Sequence, residues 1–149
     1  MLSLDPLTIE DAKTLEKIHA ACFPDGWSQE TFDHLLKENI TCGWLASSLS
    51  GTAVGFILAR ILEDEAEILT FAVHPSSQRQ GIGRHLLSEL MNFLKSVHCS
   101  KTFLEVAVDN VTAINLYSSI GFKIVGNRPH YYQRNNNTFI SASIMAFEN

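Results

Sequence analysis

Residues 68–97 constrain this chain more than any other stretch. An apolar run, Ile68-Leu69-Thr70-Phe71-Ala72-Val73, reads as a buried strand and is stopped by Pro75. Gln78-Arg79-Gln80-Gly81-Ile82-Gly83-Arg84 follows it. Ile82, Leu86, Leu90, Leu94 and Val97 then recur at spacings of four, four, four and three, the period of one helix face. A strand, a glycine turn and a helix N-terminus in that order make an anion site. The first-turn N–H groups have no intrahelical partner, and the helix dipole is positive there. Gly81 and Gly83 lack Cβ atoms, which lets a pyrophosphate approach the backbone, and Arg79 and Arg84 add charge. The turn Arg79, Gln80, Gly81, Ile82, Gly83 and Arg84 is therefore predicted to hold a phosphorylated cofactor. It is not a Walker A loop, because no Gly-Lys-Ser/Thr follows. Nor is it a dinucleotide fingerprint, because Leu86 stands where a third glycine would fall.

The rest of the chain supplies a mixed α/β pattern. A short strand is expected over 2–7. A helix is expected from about 9 to 22, where Thr8 and Asp11 resemble a capping box and Leu15, Ile18 and Cys22 share a face. Pro24-Asp25-Gly26 reads as a turn, and Ser28 as the N-cap of a helix carrying Phe32, Leu35 and Leu36. Trp44–Ala46 and Ala53–Leu58 form a hairpin around Ser50-Gly51, and the acidic turn Glu63-Asp64-Glu65 leads into the strand ending at Val73. The long helix is placed at roughly 80–98 and a strand at Phe103–Val108. A short helix capped by Asp109 or Asn110 follows and ends at Gly121. Two last strands, near 122–131 and 138–147, flank a turn at Asn135-Asn136-Asn137.

Length and charge exclude several function classes. The 149 residues suit one domain, 1–149, and no apolar run approaches the length needed to span a bilayer. Three cysteines, odd in number and widely spaced, point to a reducing compartment, so a cytoplasmic location is expected, with no leader peptide. A net charge of −5 without a basic block argues against nucleic acid as a direct partner. The six histidines show no zinc spacing and the cysteines do not cluster, so no metal is expected.

Two residues stand out for chemistry. Glu105 interrupts the apolar strand Thr102-Phe103-Leu104-Glu105-Val106-Ala107-Val108, on the face of Phe103 and Ala107. A carboxylate there is costly unless it is paired, hydrated or used. Tyr117 lies seven residues after Asn110, two helical turns on, so both can face one ligand; its phenol is a neutral proton donor. Each has a plainer reading, Glu105 as the partner of a structural cation and Tyr117 as a core tyrosine. Glu67, in the preceding strand, is a rival base.

The order Gln-x-x-Gly-x-Gly after a Val-x-Pro strand end resembles the acetyl-CoA signature of the GNAT superfamily of N-acetyltransferases. Phe103-Leu104-Glu105-Val106-x-x-x-Asn110 and Ala113-x-x-Leu116-Tyr117-x-x-x-Gly121-Phe122 resemble its ribosomal-protein-alanine N-acetyltransferase (RimI-like) group. So do Asp64-Glu65-Ala66-x-Ile68-Leu69, Trp27-Ser28 and Tyr131-Tyr132; a departure is Ala107, where the group often has Arg. The resemblance implies a single-domain GNAT fold. Its sheet is mixed but mostly antiparallel, with flanking helices and a parallel strand pair that splays at the acetyl-CoA site. It further implies that the backbone of Phe71, Ala72 and Val73 pairs with the pantetheine arm and that Asn110 contacts the cofactor. Glu105 would accept the amine proton and Tyr117 would protonate the CoA thiolate. The implied partner is the N-terminal peptide of a protein, an alanine-first ribosomal protein of the small subunit. Two alternatives stay open: acetylation of a lysine or small amine, and a non-catalytic acyl-CoA-binding regulator.

Overall fold

The computed structural model describes residues 2–133 and 138–148. Ser3–Pro6 forms β1, and two helices follow, Ala12–Cys22 (α1) and Gln29–Lys37 (α2). Thr41–Ser47 (β2), Ala53–Leu62 (β3) and Glu65–Val73 (β4) make an antiparallel meander, and Ile82–Ser96 forms α3. Lys101–Ala107 (β5), Val111–Ile120 (α4), Lys123–Gln133 (β6) and Phe139–Glu148 (β7) complete the chain. The seven strands lie in one sheet in the order β1-β2-β3-β4-β5-β7-β6. Among the described residues only β4 and β5 pair in parallel, so the expected mixed, mostly antiparallel sheet is present. The expected turn at 135–137 lies outside the described residues.

Local chemistry sets the element ends. Thr8 and Asp11 form the capping box, but the first turn after it, Ile9–Asp11, is a 3-10 turn, and α1 proper starts at Ala12. Ser28 caps α2 by accepting from the Thr31 N–H. The long helix is shorter than its apolar repeat, because Gly81 at φ 82° sits before its first turn and His98 at φ 63° lies just past its end. Leu62 pairs with Glu65, which confines the turn to Glu63 and Asp64 and makes Glu65 and Glu67 strand residues.

The helices divide between the two faces. Leu86, Leu87, Leu90 and Leu94 of α3 and Tyr117 of α4 join the cluster that holds Ala66, Ile68, Leu104 and Val106. Leu15 and Ile18 of α1 and Phe32 of α2 join the other, with Phe56, Leu58 and Ala72. Along β4 this reveals a change of phase. Ile68 faces α3, yet Ala72, four residues on, faces α1, whereas an undisturbed strand would keep both on one side. The register supplies the cause: Leu58 pairs with Thr70 and Ala59 with Ile68, so Leu69 is an extra residue, a β-bulge that bends the strand. Parallel pairing with β5 covers Glu65–Lys101, Ala66–Thr102 and Glu67–Phe103, and none is present from Ile68 onward. Past that point β4 and β5 separate.

His19 holds α1 and the following loop against the bulge. It is 3% exposed and ringed by Phe23, Trp27, Phe32 and Phe56. The Trp27 N–H donates to Nδ1 at 2.9 Å, which leaves the single proton of the neutral ring on Nε2, 3.0 Å from Thr70 Oγ1. Burial lowers its pKa from the usual 6.5 to about 4. The unfolded chain therefore binds more protons between those values, and stability is full above about pH 6.5 and falls as pH drops toward 4. A shift of that size is worth roughly 3 kcal/mol. In urea titrations, His19→Gln is expected to flatten the difference in stability between pH 6.5 and pH 4 by about that amount. A slope equal to that of the unmodified protein would remove His19 as its source.

Candidate active site

The site is built around the separation of β4 and β5. The His74 N–H donates to the Val54 carbonyl at 2.8 Å, so in an antiparallel ladder Ala72 and Thr70 turn their main-chain groups to β3. Those of Phe71 and Val73 then point into the gap. Of the three residues expected to offer backbone to a cofactor, Ala72 is thus already paired with Phe56. The Val73 carbonyl is also taken, by Gln78 Nε2 at 2.9 Å and by Cys22 Sγ at 3.2 Å. Phe71 keeps both groups toward the gap and Val73 its N–H. From the other side, the Val108 N–H donates to Ser141 at 3.0 Å, so the same alternation turns the Glu105 carbonyl into the gap.

At the end of β4, the backbone N–H groups of residues 79–84 have no hydrogen-bond partner among the described residues; the first helical bond of α3 is from His85 to Gly81. Arg79 and Gly81 both take positive φ, 65° and 82°, and a Cβ on Gly81 would meet nothing within 4 Å. The turn is an exposed row of donors with open space before it, at the positive end of a 15-residue helix. Ile82 is buried in the core, so only its N–H is available there. A Cβ on Gly83 would lie 3.4 Å from Phe71 and 3.5 Å from Leu116, so this glycine brings α3 close to β4 and α4. The Arg84 guanidinium donates to Ser119 Oγ at 2.8 Å, clasping α3 to α4, which leaves its N–H to the turn. Asn110 caps α4, its Oδ1 accepting from the Ala113 N–H at 3.2 Å, and the residue is exposed. It does not share a burial environment with Tyr117.

Tyr117 and Glu105 stand on opposite faces of the sheet. Tyr117 is 6% exposed, its ring between Phe71 at 6.1 Å and Phe122 at 5.6 Å. Burial, with Tyr132 nearby, pushes its phenol well above the ordinary value, so it stays neutral and protonated. Leu104 and Val106 point into the α3 cluster, so Glu105 faces the other way, on a part of the sheet beyond β4, where α1 and α2 chiefly pack on β2, β3 and β4. There its Oε1 forms an ion pair with Arg128 Nη2 at 2.8 Å. The Tyr132 hydroxyl lies 3.5 Å from the Glu105 carbonyl, at the outer limit of a hydrogen bond. Glu67 is on the same face as Glu105, is paired with Arg60 at 3.0 Å, and sits at the last rung before the strands part. Among the described residues, no group of three or more His, Cys, Asp or Glu side chains is placed to hold a metal.

Sequence reasoning did not find His19, Arg128 or the Arg84–Ser119 clasp. His19 did carry a signal, falling four residues after Leu15 on the apolar face of α1. Arg128 carried none, because the register of β6 breaks between Arg128 and Tyr132.

The family model for the acetyltransferase (GNAT) family matches residues 12–122. The [ribosomal protein bS18]-alanine N-acetyltransferase of Escherichia coli (strain K12) is 35% identical over 130 residues, covering 87% of this chain and 84% of that protein. An uncharacterized protein of Mycobacterium leprae (strain TN) is 36% identical over 137 residues; the match covers 87% of this chain but 36% of that longer protein. Among solved structures, the ribosomal-protein-S18-alanine N-acetyltransferase from Escherichia coli superposes with a TM-score of 0.94 at 30% identity, covering 99% of this chain and 94% of that one. Fold, glycine turn and relatives agree: the chain belongs to the GNAT family of acetyltransferases.

Proposed function

We propose that residues 1–149 act as one domain that moves the acetyl group of acetyl-CoA to the N-terminal α-amine of a protein, an alanine-first ribosomal protein of the small subunit. The observation that carries this reading is the placement of Glu105 and Tyr117 on opposite faces of one gap, beside an unpaired row of N–H donors. A regulator that only bound an acyl-CoA would need the turn and not this pair. The E. coli relative's name supplies the acceptor class.

The residues fit the donor. Arg79, Gln80, Gly81, Ile82, Gly83 and Arg84 would hold the pyrophosphate through their N–H groups, as first-turn donors hold anions elsewhere. Phe71 and the Val73 N–H would pair with the pantetheine amides, with Ala72 fixing the strand from behind and Asn110 at the mouth beside α4. Acetyl-CoA supplies an activated thioester. The acceptor enters on the Glu105 face, between the loop around Trp27 and the strand bearing Tyr131 and Tyr132. Glu105 takes the amine proton, directly or through a water. The Tyr117 phenol gives its own proton to the departing sulfur, in dry surroundings that disfavour a thiolate as well. An α-amine suits this machinery. With a pKa of 7.7–8.0, about a quarter is free base near pH 7.4, against about 0.1% of a lysine side chain. Such an enzyme would work in the cytoplasm, where ribosomal proteins are made.

Acetyl-CoA affinity is expected to be lost in Gly81→Val, measured by calorimetry. Because φ 82° itself strains any L residue there, Gly51→Val is the control: it has φ 85°, an equally open Cβ position and no such donor row. Equal binding by both variants would remove the turn from the site.

Glu105→Gln is expected to lose turnover by about 10²–10⁴-fold near pH 7 and to regain part of it by about pH 9, as the amine frees its own proton. Tyr117→Phe should lose turnover with little change in acetyl-CoA affinity. If Glu67→Gln shows the pH rescue instead, the base lies on β4.

Offered an Ala-first peptide, a Phe-first peptide and an N-terminally blocked peptide with one lysine, the enzyme is expected to acetylate the first fastest, located by mass spectrometry. Fastest modification of the blocked peptide would shift the assignment to a lysine or small-amine acetyltransferase.

A further inference from the structure

Three ion pairs are seen among the described residues, and one differs from the others. Arg60–Glu67 and Lys101–Glu148 each join residues paired directly across neighbouring strands, and each is well exposed. Arg128–Glu105 does not. Arg128 is on β6 and Glu105 on β5, with β7 between them, so the arginine reaches over a whole strand to a carboxylate only 20% exposed. Holding so long an arm in one arrangement is entropically costly unless something else fixes it. Here the guanidinium carbon lies 4.8 Å from the centre of the Tyr131 ring, and Tyr131 is itself set edge-on to Tyr132 at 4.8 Å.

The backbone explains how these three side chains reach the site. Arg128 pairs with Ala142 and Tyr132 with Ile140, so β6 spends four residues where β7 spends two. Two extra residues buckle β6 at this point, and a buckled strand re-aims its side chains. The Tyr132 hydroxyl ends beside the Glu105 carbonyl, and the Arg128 guanidinium ends on the Glu105 carboxylate. The close contact of this pair runs from Nη2 to Oε1.

We propose that Arg128 is a positioning and specificity-determining residue for acetyl transfer: it holds one oxygen of Glu105, aims the other at the acceptor amine, and sets a fixed positive charge beside the base. The proposal rests on Glu105 being the proton acceptor. A bare carboxylate attracts an ammonium ion, which is the dominant form of a lysine side chain and cannot attack a thioester. With Arg128 in place that attraction is largely cancelled, and an amine already free of its proton is admitted without penalty. Discrimination between an α-amine and a lysine then follows from charge at the base, in addition to any fit of the peptide in the cleft. Arg suits the task better than Lys, because its planar fork stacks on Tyr131 while one N–H holds the carboxylate.

The test compares the unmodified enzyme with R128Q and R128K on the Ala-first peptide and the blocked lysine peptide, from about pH 7 to about pH 9, the range in which the α-amine titrates. R128Q is expected to lower kcat on the Ala-first peptide by about 10- to 100-fold, the cost of a misplaced reacting group, while the KM for acetyl-CoA holds. Its preference for that peptide should narrow about tenfold at pH 7 and by a similar factor at pH 9, because a lysine side chain is still mostly ammonium there. R128K restores the charge without the fork, so the preference should return while kcat recovers only in part. R128Q with unchanged kcat and preference overturns the proposal. An equal loss on both acceptors that R128K does not relieve also overturns it, since that marks a structural role. Should R128Q fail to fold, R128K carries the test: kcat must fall while preference holds. If the unmodified enzyme itself favours the lysine peptide, the N-terminal reading fails, and the change from it to R128Q still reports the part played by Arg128.

Discussion

The parting of β4 and β5 is the constraint on which the rest of the site depends. Two parallel strands that stay paired satisfy each other's N–H and C=O groups and leave nothing between them. Here the ladder stops after the rung joining Glu67 to Phe103, two residues before the bulge at Leu69 bends β4. Each main-chain group so exposed costs about 1–3 kcal/mol if it is buried without a partner. The opening is therefore stable only where water or an extended ligand can reach those groups. Phe71 and the Val73 N–H are such groups, and the Glu105 carbonyl meets only the distant Tyr132 hydroxyl at 3.5 Å. The same bulge swings Phe71 onto the α3 side, where its ring meets Tyr117. One extra residue both opens the gap and furnishes its wall.

A gap of this kind needs its rims held, and each is pinned by a contact distant in sequence. His19 ties Trp27 to Thr70, which sets the α1–α2 loop against the bulge. Arg84 ties the first turn of α3 to Ser119 of α4, closing the helix side. Gln78 and Cys22 both hold the Val73 carbonyl, which fixes the end of β4 where the glycine turn begins. The three contacts differ in durability. The first is buried and depends on a neutral imidazole, whereas the second is an exposed hydrogen bond of modest net worth, about 1 kcal/mol.

Elements with a strong local signal were legible in the sequence. Thr8, Ser28 and Asn110 are the caps that their side chains suit, and the leucine repeat from Ile82 is the face of α3 that enters the core. The glycine turn was legible because positive φ and a helix start leave a distinct residue pattern. What could not be read arises from registers. The inserted Leu69 looks like any apolar strand residue, and only its pairing to β3 shows that it is surplus. Arg128 looks like a surface charge until the two extra residues of β6 turn it to Glu105. Ala72 and Phe71 are equivalent in sequence, yet alternation gives one backbone to β3 and the other to the gap. A two-residue period is easily recognised in a strand, but its phase is set by the partner strand.

The two faces of the gap also differ as solvents, and that difference suits the two proton transfers proposed for them. Tyr117 sits among Phe71, Phe122 and the α3 leucines, where burial holds the phenol neutral. Such a group is a poor base at any working pH. It is useful only as a donor, at the moment when negative charge develops beside it. Glu105 sits on the open face, one oxygen on Arg128, where water can reach it and carry a proton away. A base in the dry pocket would be costly to keep charged, and a phenol on the wet face would have water as a competitor for the leaving sulfur. The opposite assignment would therefore place each group where it works least well, and this supports Glu105 over Tyr117 as the acceptor of the amine proton. Glu67 shares the open face, but it sits where the strands are still joined and is held by Arg60 on the β3 side. Only Glu105 lies beyond the point of separation, with its own carbonyl turned into the gap that the acetyl group would occupy.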